Sequence, residues 1–205
     1  MDTEKIDAAI PSQETGAKTD THHSVTTKSL EEAKELFLRV KDRLQDVNRW
    51  NEFCGKASAK FELTDHEGHS VTRKPQKGDH FKINVPAPGT ETGDGRDWVM
   101  IEEIEDKSDS NASTEAFVIR VRPAQNPETP DHDTAHFFKD VATSSFAVQR
   151  EDMKVTASVH GRNEVPNIKT ENFIDNARNV LVALGAMVGL SNPQWKSLVK
   201  GLFEE

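Results

Sequence analysis

The residues of this chain that could act on a small molecule are polar and widely spaced. Arg120 and Arg162 carry guanidinium groups, which bind carboxylates and phosphates through paired hydrogen bonds. Asp97 offers a carboxyl group, and histidine is the commonest general acid or base. The sequence therefore predicts a ligand-binding site that contains Asp97, Trp98, Arg120, His136, His160 and Arg162.

These residues also have a purely structural interpretation. Alternation along a strand places Arg120 and Arg122 on its polar face, where solvent or acidic neighbours explain them. Arg162 can equally hold the turn before a following helix, and Asp97 can accept hydrogen bonds from the glycine-rich loop before it. Both interpretations stay open at the level of sequence.

A metal or nucleotide cofactor is not predicted. His132 and His136 would share one face of a helix, but the glutamate of zinc proteases does not follow the first histidine, which favours loop histidines. Cys54, the single cysteine, has no cysteine partner and is predicted to be a buried small residue. The glycines of Pro86–Arg96 match neither a phosphate loop nor a dinucleotide fingerprint, so this loop is predicted to be a rigid connection between two core strands, which would form part of the rim if the fold has a pocket.

Composition narrows the possible partners. The formal net charge is −9 over 205 residues, without a cluster of Lys and Arg, which argues against nucleic acid and anionic membranes. The N-terminus lacks the pattern of a signal peptide, and no stretch approaches the roughly 20 apolar residues of a membrane span. A cytoplasmic location is therefore expected.

The chain divides into a polar beginning and a patterned remainder. Residues 1–23 have no sustained hydrophobic period and are predicted to be a disordered tail. Residues 24–205 are predicted to form a single α+β domain.

Three helices are predicted in this domain. Ser29 is a plausible N-cap for an amphipathic helix that runs to about Asp46. A long apolar helix is expected at Thr170–Val188, and a short one begins at Pro193.

Period-two alternation predicts six to seven antiparallel strands between the first and second helices. Lys56–Leu63 and His69–Lys74 are expected to pair around the turn at Asp65–Gly68, and Ser24–Lys28 is a possible short strand. Trp98, Met100 and Ile104 are expected to share one face of a strand. Ser145–Arg150 and Met153–His160 are expected to form a hairpin that turns at Glu151-Asp152, and Gly161–Asn167 is expected to break the pattern.

This order of elements resembles the helix-grip fold of the START-like superfamily, which includes polyketide cyclases, the major birch-pollen allergen and lipid-transfer domains. VTTKSLEEAKELF and Asn48-Arg49-Trp50-Asn51 resemble its first strand, first helix and following tryptophan. The loops Pro86–Arg96 and Pro123–Asp140 and the helix after Gly189 depart from it. The phrases GDHFKINVPAPG, DWVMIEEIE, TAHFFKDVATSSFAV and HGRNEVPN also resemble a small uncharacterised bacterial family.

The resemblance implies a curved sheet wrapped on the long C-terminal helix, with space for a ligand between them. The first functional hypothesis is thus a binding module for a small, largely apolar ligand. A second is an enzyme of the hydrolase or cyclase/lyase type at the mouth of the same pocket, with Asp97, His136, His160 and Arg162 as its polar residues. A third is a structural or oligomer-forming protein that docks through Pro193–Phe203.

Overall fold

The structure is a computed structural model, and it describes residue 6 and residues 8–54, 59–84, 96–128, 140–165 and 193–204. The predictions for residues 86–95, for His132 and His136, and for the helix at Thr170–Val188 lie outside these residues.

The described residues form a seven-stranded antiparallel sheet in the order β1-β7-β6-β5-β4-β3-β2. The described elements are of the α+β class, and the strand number lies within the predicted six to seven. The strands are β1 (Ala17–Thr26), β2 (Lys60–Thr64), β3 (His80–Asn84), β4 (Arg96–Lys107), β5 (Thr114–Pro123), β6 (Thr143–Glu151) and β7 (Lys154–Glu164).

Helix α1 (Leu30–Gln45) begins and ends close to the predicted residues. The Ser29 hydroxyl accepts a hydrogen bond from the Glu32 N–H at 3.2 Å, and the Glu32 carboxylate accepts one from the Lys28 N–H at 3.0 Å. This reciprocal capping satisfies two backbone donors at the helix start. The apolar stripe is buried, as predicted: Ala33, Leu36, Phe37, Val40 and Leu44.

Three shorter helical elements follow α1 within the described ranges. A 3₁₀ turn (Val47–Arg49) leads into α2 (Trp50–Cys54), and α3 spans residues 193–201. Leu198, Val199 and Leu202 are buried in the core of this chain, and the Trp195 ring lies 5.2 Å from that of Phe146. The apolar side of α3 is therefore already used within the chain, which removes the main motivation for a docking helix.

Two expectations at the N-terminal end of the sheet were wrong. Strand β1 begins at Ala17, inside the segment predicted to be disordered, because its backbone pairs with β7 from Ala17 to Thr26. Such ladder hydrogen bonds do not require apolar side chains. Residues 69–74 do not return as a strand, since only Thr64 and Ser70 form a bridge, and β2 pairs with β3 instead.

Two expectations farther along also needed correction. The register of β4 against β5 shifts between Ile101 and Glu103, so Ile104 packs against the main core rather than sharing a face with Trp98. Strand β7 continues through Arg162 to Glu164, where a break was expected. The β6–β7 hairpin itself is confirmed, with Asp152 at a φ of 49° in its turn.

The sheet has two differently built faces. The face that packs on α1 and α3, here called the core face, carries the large apolar cluster around Trp50, Phe81 and Phe146. The opposite face, here called the outer face, carries a small cluster in which Ile6 and Ala9 pack on Ala116, Val118 and Ala147. The segment that supplies Ile6 and Ala9, residues 6 and 8–16, is here called the N-terminal strap.

Candidate functional site

A small cavity of about 50 Å³ opens on the core face, and Asp97 lines it. Alternation places Asp97 and Val99 of β4 on this face, next to Val121 of β5 and Ser144 of β6, which are paired across their strands. Glu164 at the end of β7 also lines this cavity, here called the Asp97 cavity, and the other lining residues are Arg122, Pro123, Ala142 and Thr143.

Gly161 is what allows Glu164 to reach this position. A Cβ atom at residue 161 would lie 2.3 Å from the Glu164 Oε1 atom, so any side chain there would displace the carboxyl group. The Thr19 hydroxyl, 3.4 Å from the same oxygen, is its hydrogen-bond donor. Glycine at residue 161 therefore leaves room for the Glu164 carboxyl group, and the Thr19 hydroxyl holds it there.

Two acids line the cavity, and Arg122 is a cation in the same lining. Burial raises the pKa of Asp97 to about 7, and the hydrogen bond from the Trp98 N–H opposes this shift only in part. Burial also raises the pKa of Glu164, against the opposing effects of Thr19 and Arg162. Among the described residues no Lys, Arg or His forms an ion pair with Asp97. A carboxyl group in this state can donate a hydrogen bond when protonated and can bind a cation when ionised.

Elsewhere, the described core face is filled by aromatic side chains. Trp50 has no exposed surface, and its ring centroid lies 4.8 Å from that of Phe146 and 5.3 Å from that of Phe61. The Trp50 Nε1–H donates to the Leu44 carbonyl at 3.1 Å, which satisfies its one polar group. This end of the face is a packed core.

The six residues predicted to bind ligand do not form one site. Asp97 lies on the core face, whereas Trp98, next to it in the strand, lies on the outer face near Lys82, whose Nζ is 5.1 Å from the indole centroid. His160 and Arg162 also lie on the outer face, and His136 is outside the described residues. The enzyme hypothesis required Asp97, His160 and Arg162 at the mouth of one pocket. Because side chains alternate along a strand, Asp97 lies on the core face, whereas His160 and Arg162 lie on the outer face.

Arg120 and Arg122 follow the structural interpretation. The Arg120 Nε donates to Glu102 at 3.0 Å, and its terminal nitrogens donate to Glu103 and to the Ala9 carbonyl. Arg122 also donates to Glu102. These acidic neighbours on β4 account for the two arginines.

A second polar group joins β1 and β7 on the outer face. The Asp20 Oδ1 atom lies 2.6 Å from the His160 Nδ1 and 2.7 Å from a terminal nitrogen of Arg162. The His160 Nε2 lies 2.9 Å from the Ser158 hydroxyl. Sequence reasoning missed Asp20 because it lies in the predicted tail, and it missed Ser158 because the register of β1 against β7 is a long-range property.

A larger, open cleft of about 500 Å³ follows the edge strand β2. Asn48 organises it: its side chain accepts from the Leu63 N–H at 2.8 Å and donates to the Val71 carbonyl at 2.9 Å. Its other lining residues are Asn51, Lys60, Phe61, Glu62, Ser70, Thr72, Lys82 and Asn84.

One group of potential metal ligands occurs among the residues that the structure describes. Asp65, Glu67 and His69 bring three ligand atoms within 4.8 Å of one another in the turn after β2. Asp65 already accepts backbone hydrogen bonds from Glu67 and His69, so a turn explains the cluster.

Within the described ranges, no helix is long and apolar enough to cross a membrane. Burial raises the pKa of the Cys54 thiol to about 12, which disfavours a reactive thiolate there.

No protein-family model and no curated protein sequence matches the chain. Several solved structures are similar to it. Norcoclaurine synthase from Thalictrum flavum is 8% identical with a TM-score of 0.44, covering 92% of this chain and 88% of that chain. A protein from Thermus thermophilus is 12% identical with a TM-score of 0.39, covering 91% and 95%. Major latex-like protein 151 from Panax ginseng is 13% identical with a TM-score of 0.35, covering 86% and 99%. Identities this low carry no information about ligand or activity.

Proposed function

We propose that this protein binds a small, largely apolar ligand on the core face and holds the polar group of that ligand at Asp97 and Glu164. The observation that carries the proposal is the Asp97 carboxyl group, which faces a cavity and forms no ion pair with a described residue. An acid buried in this way costs folding free energy, and such groups are concentrated at binding and catalytic sites.

The apolar part of the lining suits a ligand with an apolar body. Val99 and Val121 flank Asp97 in the cavity, so contact with them would remove apolar ligand surface from water. The two acids would then select one polar group by hydrogen bonding, as in many ligand pockets.

The described cavity accommodates only part of such a ligand. Its volume of about 50 Å³ matches a hydroxyl, an amide or an amine rather than a whole molecule. The proposal therefore places the apolar body beyond the described residues, on the side where the sequence predicts the helix Thr170–Val188.

The raised pKa of Asp97 makes the preferred polar group depend on pH. Above pH 7 the ionised carboxylate favours a protonated amine, and below pH 7 the protonated acid favours a hydroxyl or carbonyl group. Binding of an amine should also release the proton of Asp97.

The test uses N-phenyl-1-naphthylamine, an uncharged fluorescent probe, displaced by decylamine or decanol at pH 6 and pH 8. Decylamine should displace the probe at least tenfold better at pH 8 than at pH 6, and Asp97→Asn should abolish this difference. The matched control is Asp42→Asn, since Asp42 is exposed on α1 and pairs with Lys74. A wild-type protein that binds neither probe nor decylamine would contradict the proposal. Native mass spectrometry of the purified protein would identify any ligand that it carries.

A further inference from the structure

On the outer face, a serine, a histidine and an aspartate form one hydrogen-bonded chain. Asp20 of β1 stands opposite His160 of β7 in the strand register, and Ser158 precedes His160 by two residues, so all three share this face. The Ser158 Oγ–His160 Nε2 distance is 2.9 Å, and the His160 Nδ1–Asp20 Oδ1 distance is 2.6 Å.

The charge state of Asp20 determines where the protons of this chain lie. Although burial acts in the opposite direction, hydrogen bonds from His160 and Arg162 together lower the pKa of Asp20 below its ordinary value. An ionised carboxylate only accepts hydrogen bonds, so the proton in the short contact belongs to the His160 Nδ1. In the neutral imidazole the Nε2 atom then accepts, and the Ser158 hydroxyl donates to it.

We propose that Ser158 is an acyl-accepting nucleophile, with His160 as its general base and Asp20 as the residue that positions His160. The substrate class is a small carboxylic ester. The Ser158 oxygen attacks the ester carbonyl carbon while its proton passes to the His160 Nε2, and the alcohol leaves with that proton as the carbon–oxygen bond of the ester breaks. Water then repeats the sequence on the acyl-serine and releases the carboxylic acid.

Ser145 supplies a donor for the negative charge that develops on the carbonyl oxygen. It stands opposite His160 on β6, has no exposed surface, and its hydroxyl has no hydrogen-bond partner among the described residues. A buried, unpartnered hydroxyl beside the base is available to stabilise such an oxyanion.

The surroundings of Ser158 limit the size of the acyl group. Ser158 is 6% exposed, and Ala147, opposite it on β6, packs against the N-terminal strap. An acetyl group would therefore displace fewer of these neighbours than a long acyl chain would. The site lies on the opposite face of the sheet from the Asp97 cavity, so either proposal can fail without the other.

The experiment treats the full-length protein with methanesulfonyl fluoride, a serine-directed reagent whose transferred group is close to acetyl in size, and maps the adduct by mass spectrometry, with p-nitrophenyl acetate as the turnover substrate. We expect one adduct, on Ser158, that is lost in Ser158→Ala. The matched control is Ser24→Ala, because the Ser24 hydroxyl lies 2.9 Å from the hydroxyl of Thr156 on the same strand pair, rather than from a histidine nitrogen. This control should label at the wild-type rate.

Asp20→Asn separates the positioning role from a structural one. It should slow labelling at least 100-fold, since loss of the carboxylate frees the wrong imidazole tautomer, and it should move the half-maximal rate to lower pH. Absence of a Ser158 adduct on the folded wild-type protein would overturn the proposal. The proposal would also be overturned if Asp20→Asn left both the labelling rate and its pH profile unchanged.

Discussion

Glu115 and Arg150 form a buried ion pair between the adjacent strands β5 and β6, with 2.7 Å between the Glu115 Oε2 and the Arg150 Nε. Their side chains are 4% and 0% exposed. The remaining nitrogens of Arg150 donate to the carbonyls of Ala112, Ser113 and Asp152, so this one guanidinium links the β4–β5 and β6–β7 turns. A buried charge this fully paired rigidifies the end of the sheet.

We expect Glu115→Gln to lower the free energy of unfolding by about 3 kcal/mol, because it leaves the Arg150 charge buried without its counter-ion. Urea denaturation at pH 7 measures this change. The control is Glu31→Gln, which breaks the exposed pair with Lys34 and should cost less than about 0.5 kcal/mol. If the two variants lower the free energy of unfolding equally, burial does not determine how strongly the Glu115–Arg150 pair stabilises the protein.

Asp97→Asn should alter how stability depends on pH. The pKa of Asp97 is about 7 in the folded protein, above its ordinary value of 3.8. Its stabilising contribution is therefore complete below about pH 4 and is lost as pH rises through 7. Relative to Asp97→Asn, the wild-type protein should lose on the order of 3 kcal/mol between pH 4 and pH 8. Urea denaturation across this range measures the difference, and parallel curves for the two proteins would contradict it.

Asn163→Gly should release the N-terminal strap. The Asn163 Oδ1 accepts from the Glu14 and Thr15 N–H groups at 2.8 and 3.1 Å, and its Nδ2 donates to the Ser12 carbonyl. Glycine tolerates the φ of 56° at this residue, so only the side-chain contacts are lost. We expect at least tenfold faster deuterium exchange at Glu14 and Thr15 and a cost of about 1 kcal/mol.

The control for this variant is Asn111→Gly, in the exposed β4–β5 turn, which adds the same flexibility to the unfolded chain. If both variants change the deuterium exchange of residues 12–16 by the same factor, the side-chain hydrogen bonds of Asn163 do not hold the N-terminal strap in place.

Gly201→Ala should destabilise the protein even though alanine is usually favoured over glycine in helices by about 1 kcal/mol. The added Cβ would lie 2.1 Å from the Phe53 carbonyl oxygen, and a backbone atom cannot rotate away. We expect a net loss of about 2 kcal/mol, seen as a lower thermal midpoint. Ser197→Ala, at an exposed residue of the same helix, should leave the midpoint nearly unchanged. A rise in the midpoint of Gly201→Ala would show that α3 lies farther from Phe53.

Features that depend on neighbouring residues could be predicted from the sequence. The start of α1 was predictable because Ser29 and Glu32 cap it within four residues, and its buried face follows from the spacing of Leu36, Phe37 and Val40. The β6–β7 hairpin was predictable for a similar reason, since Asp152 accommodates the turn between two alternating strands. Local capping, periodicity and turn chemistry act over a few residues and therefore leave a readable pattern.

The tertiary structure alone decided which polar residues meet. Asp97 and Trp98 were predicted to act together, yet adjacent strand residues point to opposite faces, and the packing of α1 and α3 decides which face is the core. Asp20 reaches His160 across 140 residues of sequence through the register of β1 against β7. Register depends on the summed fit of whole strands rather than on any local pattern. For that reason the sequence determined the α+β class, the first helix and the β6–β7 hairpin, whereas only folding paired Asp20 with His160 and left Asp97 facing a cavity.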